Sequence, residues 1–175
     1  MKLISMVLAL TLLLPGTAVA DSTDVLHKIW SAYAPAERFS VYGGQPERAV
    51  QGKPAALDIR DRDALAARFC VPHQLLFSIE DGACMVHFMN RCVFSAVVFR
   101  LVENQDPEAF AAAVRGSLRN TKWENGRPER YLVMIPEGQY VLMAFGKRQL
   151  LDTFLLRTAE VFPLGRILHD EGVPI

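Results

Sequence analysis

From residue 84 to residue 162 the chain carries one pattern twice: two short apolar runs, then a longer run with apolar residues at helical spacing. In the first copy, Val- and Phe-rich runs near 84–89 and 93–102 flank Asn90-Arg91. Two β-prone runs around a two-residue polar break predict a β-hairpin. Asp106-Pro107 then supplies a cap and a first helical residue to DPEAFAAAVRGSLRN, where Phe110, Val114 and Leu118 recur every fourth position. Asn125-Gly126 and Pro128 close this copy. In the second copy RYLVMI and QYVLMAF flank Pro136-Glu137-Gly138, and Gly146 leads into KRQLLDTFLLRTAEVF. There Leu151, Phe154, Leu155, Thr158 and Phe162 form a buried stripe that Pro163 ends.

A hairpin has an apolar face that must be covered, and a following helix is the nearest cover. The expected fold class is therefore α+β: two consecutive ββα units forming a mainly antiparallel four-stranded sheet with helices on one face, plus N-terminal helices at its edge or end. The first of those helices carries Val25, Leu26, Ile29, Trp30 and Tyr33 behind the capping residues Ser22-Thr23-Asp24, and Pro35 stops it. A second starts at Asp61 or Asp63, places Leu65, Ala66, Phe69 and Cys70 on one face, and ends before Pro72. Between them VYGGQPERAVQGKPAALDIRDRD reads as a long surface connection with one short strand near Phe39 to Tyr42.

The first twenty residues, MKLISMVLALTLLLPGTAVA, have a cationic start, an apolar core from Leu3 to Leu14, a Pro15-Gly16 break and small residues at Ala18 and Ala20. That order predicts a signal peptide over 1–20, cleaved after Ala20, with an apolar core too short to span a bilayer. Residues 21–175 are then expected as one globular domain in the periplasm or outside the cell, without stable membrane insertion after cleavage. Such a compartment oxidises thiols. The chain has 19 Lys and Arg against 19 Asp and Glu, so its formal net charge is zero. A balanced charge argues against nucleic acid as a partner.

The succession SAVVFRL, DPEAFAAAVRGSLRN and PERYLVMIPEGQYVLMAF with its terminal helix resembles an uncharacterised family of bacterial exported domains of unknown function, over roughly residues 69–162. The resemblance implies a fold and an exported location, and no activity.

The reactive residues cluster in two similar spacings, Cys70-Val-Pro-His73 and Cys84-Met-Val-His87, followed by Cys92. Cys70, His73, Cys84, His87 and Cys92 are soft or borderline donors able in principle to hold zinc or copper. Strand parity opposes this, because Cys84 and His87 are three apart and point to opposite sides of a strand. A disulfide suits the compartment, with Cys84, Cys92 and Cys70 as candidates. If Asn90-Arg91 is the turn, Cys84 faces Val97 and Cys92 faces Met89, too far apart to bond. A wider loop centred on Phe88 makes Cys84 and Cys92 partners but exposes Met85, Phe88 and Met89; a bridge to Cys70 is the third option, and buried reduced thiols the fourth.

The remaining motifs are weaker. Gly43-Gly44 lacks a phosphate-cradling pattern, Arg60-Asp61-Arg62-Asp63 reads as a solvated helix start, and His27 and His169 read as surface residues. The sequence thus favours an exported, non-enzymatic binding or envelope-associated protein that uses no cofactor and meets a protein or small-molecule partner through the sheet or the long connection. Its alternative is a metal-handling or thiol-redox protein built on the Cys/His cluster.

Overall fold

The computed structural model describes residues 21–123 and 126–174. The expected signal peptide and Asn125 of the expected loop lie outside the described residues. Helix α1, Ser22–Ser31, starts on Asp21, whose carboxylate accepts from the Asp24 amide, and it buries Val25, Leu26, Ile29 and Trp30. The connection that follows holds two 3-10 turns and three short strands, β1 (Val41–Gly43), β2 (Val50–Gln51) and β3 (Ala55–Ala56). Helix α2, Arg62–Phe69, is capped by Asp61 and leads through a 3-10 segment, His73–Ser78, into β4, Ile79–His87. Then come β5 (Phe94–Leu101), α3 (Pro107–Asn120), β6 (Arg130–Ile135), β7 (Tyr140–Gly146), α4 (Arg148–Val161) and β8 (Arg166–Gly172).

The strands form an open antiparallel sheet in the order β2-β1-β4-β5-β7-β6-β8, with β3 also paired to β4. Its middle is the expected set of four strands, β4 and β5 joined to β7 and β6 through the β5–β7 ladder, in which Val97 lies opposite Met143. The expected strand near Phe39 to Tyr42 is β1. The expected total of four strands is corrected to eight among the described residues. The additional strands are short segments of the Gly/Pro-rich connection and the tail strand β8, none of which has the long apolar run that marks a strand in sequence.

A second correction concerns the helices, which cover both faces of the sheet. On one face Val97, Phe99, Tyr131, Val133, Val141, Met143 and Phe145 meet α2 and α3 through Phe69, Phe110, Val114 and Leu118. On the other Phe94, Ala96, Val98, Leu132, Leu142 and Ala144 meet α1 and α4 through Ile29, Trp30, Leu151 and Phe154. Moreover α3 lies mainly against β6, β7 and β8, and it reaches the hairpin that precedes it through Phe110 on Phe99. The physical reason is that every residue of β6 and β7 is buried, whichever side it faces. Strands apolar in both parities need a layer on each side.

Strand β8 is held by ions as well as by its ladder to β6. Arg130, 8 % exposed, donates to Asp170 on β8 (Nη2 to Oδ2, 2.6 Å) and to Asp152 on α4. On the opposite face Glu171 accepts from Arg115 of α3, from the Tyr131 hydroxyl at 2.8 Å and from Arg119 at 3.3 Å. The hydrogen bond from Arg115, joined by that from Tyr131, holds the Glu171 carboxyl below its usual range.

Two outcomes follow. Phe99 is fully buried and meets Phe69 and Phe110 edge to face at 6.2 and 6.3 Å, so Phe99→Ala should lower the free energy of unfolding by about 3–5 kcal/mol in denaturant titration. Because the folded Glu171 pKa is depressed, its contribution is present above the unfolded value and disappears as pH falls through the folded one. Glu171→Gln should therefore be less stable than the parent at neutral pH, and the two unfolding curves should converge on acidification.

Candidate functional site

The irregular connection is fastened at defined points and forms a wall beside the β4–β5 hairpin. Trp30 Nε1 donates to the Gly52 carbonyl at 3.0 Å, and the Gly52 amide donates to Val41 O at 2.8 Å. Where β1 hands over to β3, a Cβ on Gly43 would lie 2.1 Å from the Ala55 nitrogen and 2.8 Å from the Cys84 carbonyl oxygen, so only glycine fits that crossing. The next carbonyl, Gly44 O, accepts from Arg68 Nη2 at 3.1 Å and from the Cys84 thiol at 3.5 Å.

The hairpin turn is clamped just as firmly. Arg91 Nη1 donates to Ala67 O and to Arg68 O, both at 2.8 Å, satisfying carbonyls at the end of α2 that the helix itself leaves open. Helix α2 stops on Cys70, whose φ of 56° is in the left-handed region. The Asn90 side-chain oxygen accepts from the Cys92 amide at 2.8 Å, and the Ser95 hydroxyl donates to Arg91 O at 2.9 Å. The Arg91 guanidinium also lies over the Trp123 ring, 5.9 Å from its centroid. A turn tied down this way presents its apolar tip outward: Phe88 is 52 % and Met89 80 % exposed. Phe88, bound through its amide to Ser40 O, forms one side of an open cavity of about 400 Å3 whose other side is Ser40, Val41, Gln51 and Gly52.

The sulfurs and imidazoles are placed differently from a shared centre. Cys84 lies opposite Val97 in the ladder, the register that Asn90-Arg91 implies, and its thiol enters the face covered by α2 and α3. His87 turns to the other face and stacks on Phe39 at 6.0 Å, its pKa lowered by burial. His73 is largely exposed, 3.9 Å from the Asp63 carboxylate, and His169, expected as a surface residue, stands half-buried on β8 beside Glu171 at 4.0 Å. Among the described residues, no group of three or more His, Cys, Asp or Glu side chains is positioned to hold a metal ion.

The expected disulfide is corrected: Cys70, Cys84 and Cys92 are all free and buried. With Cys84 opposite Val97, Cys84 and Cys92 stand about five residues apart along the hairpin, on the order of 15 Å, whereas a bridge needs Cα atoms within about 7 Å. Cys70 stands near Thr121, Arg91 and Cys92 without a bond to the last. Burial pushes all three thiols up, so they stay protonated where a reactive cysteine would ionise.

Met85, expected in the open only with a wider loop, is fully buried under the narrow turn, while Phe88 and Met89 are exposed all the same. Arg91 is the contributor that sequence reading missed, since its role depends on where α2 ends in space. A second open cavity, about 430 Å3, lies along the polar side of α1 at Asp24, His27, Lys28, Ser31 and Val161 of α4.

Comparison with protein-family models, with curated proteins and with solved structures found no match. Among the described residues no helix is long and apolar enough to cross a membrane.

A thiol titration checks the sulfur chemistry. The folded protein should react negligibly with an aromatic disulfide reagent, and all three cysteines should react once it is unfolded.

Proposed function

We propose that the chain is an exported, non-enzymatic binding protein that engages the apolar side chains of a protein partner at the tip of the β4–β5 hairpin. The observation that carries this reading is the exposed pair Phe88 and Met89, held outward by a turn that Arg91, Asn90 and Ser95 fix, with Phe88 lining the cavity formed with the connection. A large aromatic and a methionine left in water are unfavourable for the isolated domain and favourable once covered. A rigid backbone beneath them reduces the ordering cost of binding.

Export is supported by the signal-like order of residues 1–20 and by the resemblance of 69–162 to exported domains of unknown function. The doubled strand–strand–helix order, read as two consecutive ββα units, belongs to the same reading. Binding is favoured over thiol chemistry by the burial of all three cysteines and the raised thiol pKa values.

Selection of a displayed random-peptide library on the purified protein tests the site. Peptides rich in aromatic and aliphatic residues should emerge, and their affinity should fall about tenfold or more for Phe88→Asp and Met89→Asp, whose folds circular dichroism would show intact. Peptides that bind parent and variants equally well would place the binding surface elsewhere.

A further inference from the structure

At the far end of the sheet from the hairpin tip, Asp81, Arg100 and Tyr140 stand side by side on β4, β5 and β7. The first turn of α1 begins over this row: the Ser22 amide donates to Asp81 Oδ2 at 2.7 Å, across 59 residues of chain. Ser22 is fully buried, and its hydroxyl has no hydrogen-bond partner. Asp21, immediately before it, uses its own carboxylate to cap the Asp24 amide at 2.8 Å. Arg100 is shared with Glu80, 3.5 Å away, and its Nε is buried without a partner. The Tyr140 hydroxyl senses the charges of Arg100, Asp81, Glu137 and Asp21 together, which places them around one corner. Carboxylates of Asp21, Glu80, Asp81 and Glu137 stand there around the Arg100 guanidinium.

The nitrogen of Asp21 lies one peptide unit before the Ser22 amide, with the two Cα atoms about 3.8 Å apart. While the Ala20–Asp21 bond is intact that nitrogen is a neutral amide. Resting on the export reading above, we propose that hydrolysis of the Ala20–Asp21 bond by a signal endopeptidase creates an α-ammonium group on Asp21 that pairs with Asp81 and fastens α1 to the sheet. Water is the nucleophile: its oxygen completes the Ala20 carboxylate, the C–N bond breaks, and the released amine of Asp21 takes up a proton. The positive end of the α1 dipole opposes this ammonium, but the surrounding carboxylates outnumber the one arginine. Removal of the signal peptide would thus be a structural step, supplying the missing cation of an acidic corner.

The full chain, expressed in a Gram-negative host and recovered from the periplasm, supplies the material, and intact mass gives its terminus. The pH dependence of α-amine acetylation, followed by mass spectrometry, then gives the pKa of that amine. It should lie about 0.5–1 unit above the ordinary range of about 7.7–8.0, and Asp81→Asn should return it to that range. An Asp21 terminus with an ordinary or lowered value in the parent overturns the pairing while leaving export standing, and needs no variant to fold. A raised value that persists in Asp81→Asn also overturns it. A periplasmic chain cut at another bond overturns the pairing and leaves export standing, whereas a chain retained uncleaved inside the cell overturns the export reading and the pairing with it.

Discussion

Two-sided burial of the central strands governs this architecture. Strands β5, β6 and β7 are shielded from solvent on both faces, with Arg100 alone partly open. A sheet of this kind is unstable with one side bare, since each uncovered apolar residue forfeits about 1.5–3 kcal/mol of transfer free energy. Helices α1 and α4 therefore cover one face and α2 and α3 the other, and the chain must cross from one side to the other as it builds them. The irregular segment between α1 and α2 makes one such crossing. Its glycine at 43 and its carbonyl at 44 are placed where backbone passes within contact distance of β4.

Much of this order was readable in the residues because local and long-range preferences agree. Val, Phe and Met runs broken by Asn90-Arg91 and by Pro136-Glu137-Gly138 became hairpins, and the helically spaced apolar runs at 107–120 and 148–161 became helices. The sidedness was misread for a physical reason. A helix after a hairpin is the nearest cover in sequence, whereas α3 is drawn to β6, β7 and β8, where Tyr131 and Phe145 lie on its side of the sheet. The unbroken apolar character of RYLVMI and YVLMAF was the sign of two buried faces.

The candidate site was less readable, because it depends on contacts between segments distant in the chain. Parity correctly separated Cys84 from His87, and the turn at Asn90-Arg91 put Cys84 opposite Val97. Nothing in the sequence indicates that Arg91 will meet the last carbonyls of α2, and it is this clamp that holds Phe88 and Met89 outward. Strand β8 was missed similarly: RILHDEG has no alternating apolar face, and its place is secured by Arg130, Arg115 and Tyr131, which reach it from other elements.

That last strand also has a bearing on how crowded copies of this chain behave. A sheet with an open rim is a template on which further strands can grow. Here one rim ends in β2, only two residues long, and the other in β8, which carries a bulge against Val133 and Met134 and the charges of Arg166, Asp170 and Glu171. A neighbour docking along β8 would strip water from those charges and meet an offset ladder. The ion pairs that fasten the strand inward thereby also guard its outer side against stacking into fibrils.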